Sequence, residues 1–231
     1  MESLGRPKLV GTPAASAEQY WHMGIVTPMV RKLARHFSKR FRRLSWREKV
    51  DVISALLDYG SDEAAHLGVF LLGRTIDSVG AVDADALGLM VERFRGWSVT
   101  DAFCIEVLQP LLERYPADVL SMTTEWATAA SRWKRRSSVV IFTRKVGASG
   151  RYTQEGLRAA ERLTEDTDDL VRKGVGWALK DLMRGERKPV LEYIADLRRQ
   201  GVTSVITLYA LRDVRGEERG RVLAIKPGLE A

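Results

Sequence analysis

Two side chains four positions apart offer the most specific chemistry in this sequence. They are the indole of Trp97 and the carboxylate of Asp101, in Gly96-Trp97-Ser98-Val99-Thr100-Asp101. At the start of a helical pattern, residues i and i+4 share a face, so ring and acid point the same way. A second indole, Trp177, follows two glycines in Gly174-Val175-Gly176-Trp177. A carboxylate and indole faces both stabilise positive charge in a bound partner. The expectation is that the fold gathers Trp97, Asp101 and Trp177 against a positively charged groove. Each residue also has a plainer reading. Ser98-x-x-Asp101 is a capping box, Trp97 then being the stapling residue before the cap, and Trp177 is a core residue.

The groove is expected because cations cluster. Ser131-Arg132-Trp133-Lys134-Arg135-Arg136 places four at one helix start. Arg144, Lys145 and Arg151 follow, Arg172 and Lys173 come one turn before Trp177, and Lys180 and Arg184 come after it. An early cluster runs through Arg31, Lys32, Arg35, Lys39, Arg40, Arg42 and Arg43. Net charge is +7 and the isoelectric point about 9.7. That balance points to a polyanionic partner, most simply nucleic acid, although any one cluster is also an ordinary solvated helix face. Gly174 and Gly176 each cost about 1 kcal/mol relative to alanine inside a helix, so close approach of a neighbouring helix or a nucleic-acid backbone must offset them. They do not form a dinucleotide-binding loop, since no strand precedes them.

The elements that must position these residues are helices throughout. Apolar residues make up 45% of the 231 residues, enough for a globular core. Thr27-Pro28 opens a basic helix to about Phe37, and Glu18 to Met23 reads as a short helix before it. Ser45-Trp46-Arg47-Glu48 is a capping box. Further helices open at Asp62, Asp83, Ser98, Pro116, Ser131, Thr153, Asp168 or Asp169, Pro189 and Thr203. Pro110 is expected to kink the one that begins at Ser98. Helix pairs start near residues 45, 83, 117, 153 and 187, intervals in the range of helical-pair solenoids. The expected fold is all-α: a curved solenoid of stacked antiparallel helix pairs, with an irregular bundle as the alternative. Residues 1–16 read as a flexible tail and 17–231 as one domain.

The one cysteine, Cys104, allows no internal disulfide and fits a reducing cytoplasm. No signal-peptide pattern and no membrane-length apolar run is present. His22, His36, His66 and Cys104 lack metal-ligand spacing, so no metal or cofactor is expected.

Gly24-Ile25-Val26-Thr27-Pro28, Trp97-x-x-x-Asp101, Trp133-x-x-Arg136 and Val175-Gly176-Trp177-Ala178-Leu179-Lys180 occur in an order and at intervals that resemble the AlkD family. Those are bacterial DNA glycosylases of HEAT-like repeats that excise alkylated bases, and the resemblance covers about residues 20–212. It implies an active site of Trp97, Asp101 and Trp177, with Arg136 on the DNA backbone near the lesion. Lys134, Arg135, Arg172 and Lys173 are the further candidates for phosphate contact. It also implies a monomer that acts on duplex DNA carrying alkylated bases, holds it on a concave face, and hydrolyses the bond without a base-specific pocket. The segment before Gly24 is shorter than the family pattern and the chain after residue 212 matches poorly. A non-catalytic DNA-binding repeat protein and a protein-interaction scaffold are the competing readings.

Overall fold

The computed structural model describes residues 19–228. The tail expected over 1–16 lies outside them, as does Glu18. All regular elements among the described residues are helical, and the one strand-like feature is an isolated bridge between Trp21 and Ser61. The chain divides into two compact units, with the boundary between Val119 and Leu120.

The first unit holds α1 (Thr27–Arg42), α2 (Trp46–Asp58), α3 (Asp62–Gly73), α4 (Ala84–Glu92), α5 (Trp97–Phe103) and α6 (Gln109–Arg114). Helix α7 (Pro116–Trp126) spans the boundary. Helix α3 is the centre of this unit. Ala64, Ala65, Gly68, Val69, Phe70, Leu71 and Leu72 are all buried, apolar on nearly every side as a helix packed on several faces must be. Helices α1, α2 and α5 pack on it.

Caps explain most of the helix starts. The Ser45 capping box is complete: its side chain accepts from the Glu48 amide, and the Glu48 carboxylate accepts from the Ser45 amide. Asp83 caps α4 through the Ala86 amide. Other starts differ from expectation. Ser61, not Asp62, caps α3. Val26 stands at the cap of α1, with Thr27 already helical. Residues 19–23 form no helix. Trp21 instead exchanges backbone hydrogen bonds with the Gly60 carbonyl and the Asp62 amide. The buried Glu63 carboxylate takes the amides of Met23, Gly24 and Ile25 at 2.9–3.2 Å. Those amides are thereby paired although the segment forms no helix.

Between α5 and α6 the chain runs through a π-helical turn, Cys104–Leu108. Pro110 follows it. Proline lacks an N–H and its ring collides with the carbonyl four residues back, here Glu106. The wider turn accommodates both defects, and Gly73 of α3 lies so close to the Glu106 carbonyl that a Cβ there would meet it at 2.7 Å. The expected disturbance is thus a widened turn just ahead of the proline.

The second unit holds α8 (Arg132–Val140), α9 (Arg144–Ala148), α10 (Thr153–Glu161), α11 (Asp169–Gly185), α12 (Arg187–Arg199), α13 (Ser204–Ala210) and α14 (Gly216–Ala224). Helix α11 is its centre, buried through Val171, Val175, Ala178, Leu179 and Leu182 and packed by α8, α9, α10, α12 and α13. Asp168 caps it through the Leu170 amide. Within each unit alternate helices pack on one another, α1 on α3, α3 on α5 and α11 on α13, alongside consecutive pairs such as α2–α3 and α11–α12.

The paired glycines of α11 are explained by close approach. A Cβ on Gly176 would fall 2.6 Å from the Tyr209 Cβ and 2.8 Å from the Ile206 carbonyl, both on α13. One on Gly174 would meet Val140 and Arg136 at 3.2–3.3 Å. Gly176→Ala is therefore expected to lower stability by about 1–3 kcal/mol through overpacking. Gly220→Ala in α14, where nothing lies within 4 Å, should instead raise it by up to about 1 kcal/mol. Urea midpoints of the two variants provide the check.

Candidate functional site

Helix α5 begins at Gly96, whose extended backbone (φ −162°) provides no side-chain cap. Trp97 is the first helical residue and is 55% exposed, the one exposed tryptophan of the six. Asp101 lies one turn on and is only 7% exposed. This helix therefore offers solvent a large indole, with a nearly buried carboxylate on the same face. The capping-box reading of Ser98 and Asp101 does not hold, because the cap position is Gly96 and Ser98 is already inside the helix. The staple reading of Trp97 fails as well, since a stapled ring is covered by its own helix.

Ser98 has a different role. Its hydroxyl donates to Asp62 Oδ1 at 3.1 Å, while the other oxygen of Asp62 lies 3.0 Å from His66 Nδ1. The first turn of α5 is thereby tied to the first turn of α3. Burial pushes the Asp62 carboxyl up, but the hydrogen bonds and charge of His66 and the Ser98 hydroxyl outweigh it, so it lies below its usual range. Burial pushes His66 down, and Asp62 more than reverses this, so the imidazole lies above its usual value near 6.5. Asp62 and His66 were not singled out from the sequence. Their one signal there is an acid and a histidine at i, i+4 on one helix.

In the second unit Trp177 is half-buried on α11. Lys173, Trp177, Lys180 and Arg184 follow at helical spacing along one face of that helix. The exposed Arg144 places its guanidinium 5.5 Å from the Trp177 ring centroid, within cation–π range. Arg144 is also the non-glycine residue with left-handed backbone among those described, at φ 52°. Such a conformation costs about 1–3 kcal/mol and needs surroundings that impose it. Asp181, 1% exposed, supplies them. It accepts the Arg144 amide at 2.7 Å and is neutralised by Lys180 at 2.7 Å and Arg184 at 3.1 Å. This break and its buried acid are not legible in sequence, where 131–141 reads as one helix with an ordinary basic stretch after it.

The other candidate phosphate ligands are mostly engaged within their own unit. Arg135 pairs with Asp166 at 2.6 Å and donates to the Ala129 and Ala130 carbonyls. Arg136 is 5% exposed and donates to the Leu170 carbonyl. Arg172 donates to the Asp166 carbonyl and lies 3.5 Å from Asp169. Lys134 is half-buried, and Lys173 faces solvent. Among the described residues no three His, Cys, Asp or Glu side chains are grouped to hold a metal, and no helix is long and apolar enough to cross a membrane.

The sequence model of a family described as "DNA alkylation repair enzyme" matches residues 8–214. Among solved structures the chain is similar to one described as a predicted DNA alkylation repair enzyme from Enterococcus faecalis. The TM-score is 0.72 at 13% identity, covering 85% of this chain and 89% of that one, a likeness of fold. No curated protein matches.

The Asp62–His66 pair makes stability depend on pH in a defined sense. A raised histidine pKa means the folded chain holds the proton more tightly than the unfolded chain. Its contribution is complete below about pH 6.5 and is lost as pH rises through the folded value. The depressed Asp62 contributes above its unfolded value and loses that contribution as pH falls through its folded one. His66→Ala should therefore flatten the decline in Tm between about pH 6 and pH 8 that the parent shows. An unchanged slope would refute the role. Asp181→Asn should cost about 1.5–3 kcal/mol, the worth of hydrogen bonds to a charged group. Arg144→Gly on that background should recover part of the loss, because glycine takes the left-handed backbone without strain. Denaturant midpoints of the single and double variants decide it.

Proposed function

Because the chain belongs to the DNA alkylation repair enzyme family, we propose that it is a monofunctional glycosylase hydrolysing the N-glycosidic bond of cationic alkylpurines in duplex DNA. The observation that carries the reading is the pairing on α5 of an indole left open to solvent with a nearly buried carboxylate one turn away. Tryptophans of a folded chain are normally covered, and an exposed one beside an acid fits binding better than packing.

Residue types fit the chemistry. A purine alkylated at N3 or N7 is cationic, so it departs as a neutral base and needs no general acid. As the C1′–N bond breaks, positive charge moves onto the deoxyribose. Asp101 stabilises that oxocarbenium-like state and orients the water whose oxygen bonds to C1′, with the water's proton passing to the carboxylate or to solvent. Trp97 and Trp177 contribute cation–π attraction of about 0.5–2 kcal/mol each when desolvated. No lysine nucleophile enters, so the product is an abasic site and the strand stays intact. Neutral bases such as uracil, which need help in leaving, are poor substrates for such a site.

Contact with the sugar–phosphate backbone falls to cations. Lys173 and Arg144, beside Trp177, are the exposed candidates in the second unit, whereas Lys180 and Arg184 on the same face already hold Asp181 and Asp213. Arg135, Arg136 and Arg172 already hold acids or carbonyls of their own unit, so they support the surface and reach phosphate only by exchanging those partners.

The test is incubation with duplex containing 7-methylguanine, followed by assay of free base and alkali-labile sites. Asp101→Asn should reduce base release by about 10²-fold or more, the scale of a lost electrostatic stabiliser, while duplex affinity and Tm stay close to the parent's. Full activity in Asp101→Asn would overturn the assignment. Duplex binding with no base release by the parent protein would favour a non-catalytic DNA-binding protein.

A further inference from the structure

A cleft of about 520 Å³ in the first unit is unconnected with the chemistry above. Its lining includes Arg42 at the end of α1, Trp46 and Lys49 of α2, Ser78, and the loop 79–83. Lys49 is the unusual member. It is 4% exposed, a degree of burial rare for a lysine without a paired acid. Among the described residues its ammonium has no carboxylate within ion-pair distance, and its one hydrogen bond goes to the neutral hydroxyl of Ser78 at 2.9 Å. The acid whose field reaches it, Asp77, is already held by Arg42 at 2.8 Å. Burial and the nearby Arg42 both push the Lys49 ammonium below its usual value, as expected of a cation short of compensation.

A buried cation without a paired acid is costly, and a single hydrogen bond to a hydroxyl leaves ammonium donors free for a ligand in the cleft. The loop beside it is exposed at Gly80 and Ala81 and carries further donors. The amides of Gly80, Ala81 and Val82 make no hydrogen bond among the described residues, whereas the Val79 and Gly80 carbonyls are taken by the Tyr115 hydroxyl. Asp83, the one acid lining the cleft, accepts from the Trp46 indole N–H at 2.7 Å and from the Ala86 amide at 2.9 Å. Its charge is therefore spent on neutral donors. The cleft thus presents donors suited to an acceptor with several oxygens and a negative charge.

We propose that this cleft binds a phosphate group, with Lys49 as its buried ligand and Arg42, which would share its guanidinium with Asp77 and the Arg74 carbonyl, as the second cation. A phosphate offers enough acceptors for the ammonium, the guanidinium and loop amides together, which a chloride or a single carboxylate does not. The group comes either as free phosphate or as a phosphate of a nucleic-acid backbone, and the chemistry of capture is the same.

Isothermal titration at low ionic strength with inorganic phosphate, and separately with a short unmodified duplex, tests this. Saturable phosphate binding by the full chain is expected. Lys49→Gln should weaken it by at least about tenfold, the factor for one charge-assisted hydrogen bond. Arg42→Gln, on an exposed side chain, gives the same test should the buried variant fold poorly. Loss confined to inorganic phosphate marks a free phosphate as the ligand, and a matching loss for the duplex marks the backbone. No saturable phosphate binding by the parent, or affinity unchanged in both variants, overturns the proposal.

Discussion

A chain built of short helices ends one at almost every turn, and each end leaves backbone N–H groups that water or a side chain must satisfy. In this protein buried carboxylates meet that need where caps do not. Glu63 takes three successive amides ahead of α1, and Asp181 takes the amide of Arg144 at the break before α9. Asp62 ties the start of α5 to α3 through Ser98. Each acid lies on the helix at the centre of its unit, so the helix that organises the core also fixes the breaks around it.

The same arrangement places the residues of interest. Trp97 and Asp101 are oriented by a helix whose first turn is held by Asp62 and His66, not by its own cap. Arg144 lies over Trp177 because Asp181 holds its backbone in a conformation it would not otherwise keep. A carboxylate one layer beneath the surface thus sets the direction of an aromatic or cationic group above it. Polar groups at that depth are costly unless fully paired, and the paired ones give rigid geometry in return.

Positive charge is distributed less freely than the net balance suggests. Arg135, Arg136 and Arg172 spend much of their hydrogen-bonding capacity on Asp166 and on carbonyls of Ala129, Ala130, Asp166 and Leu170. Arg135 and Arg136 fasten α8 to Asp166 and the first turn of α11, and Arg172 ties α11 back to Asp166. Lys49 shows the reverse case, a cation buried without an acid to match. Counting lysines and arginines in a sequence cannot separate these roles, because key partners are distant along the chain: Asp166 lies 31 positions from Arg135 and Leu170 lies 34 from Arg136.

The sequence by itself determined the all-helical class, most helix positions, the capping box at Ser45 and the tight packing at Gly174 and Gly176. These follow from local signals: apolar spacing at the helical period, capping residues, and the cost of glycine in a helix. The pairing of Trp97 with Asp101 was legible for the same reason, since i and i+4 on one helix need no tertiary information. Tertiary structure decided what each of those residues faces. It left Trp97 open while covering Asp101, turned Ser98 from a cap into a donor to Asp62, and unwound residues 19–23 onto Glu63. It also imposed the left-handed backbone of Arg144. The last three depend on partners some 35 to 40 positions away along the chain, and no local pattern encodes a contact at that distance.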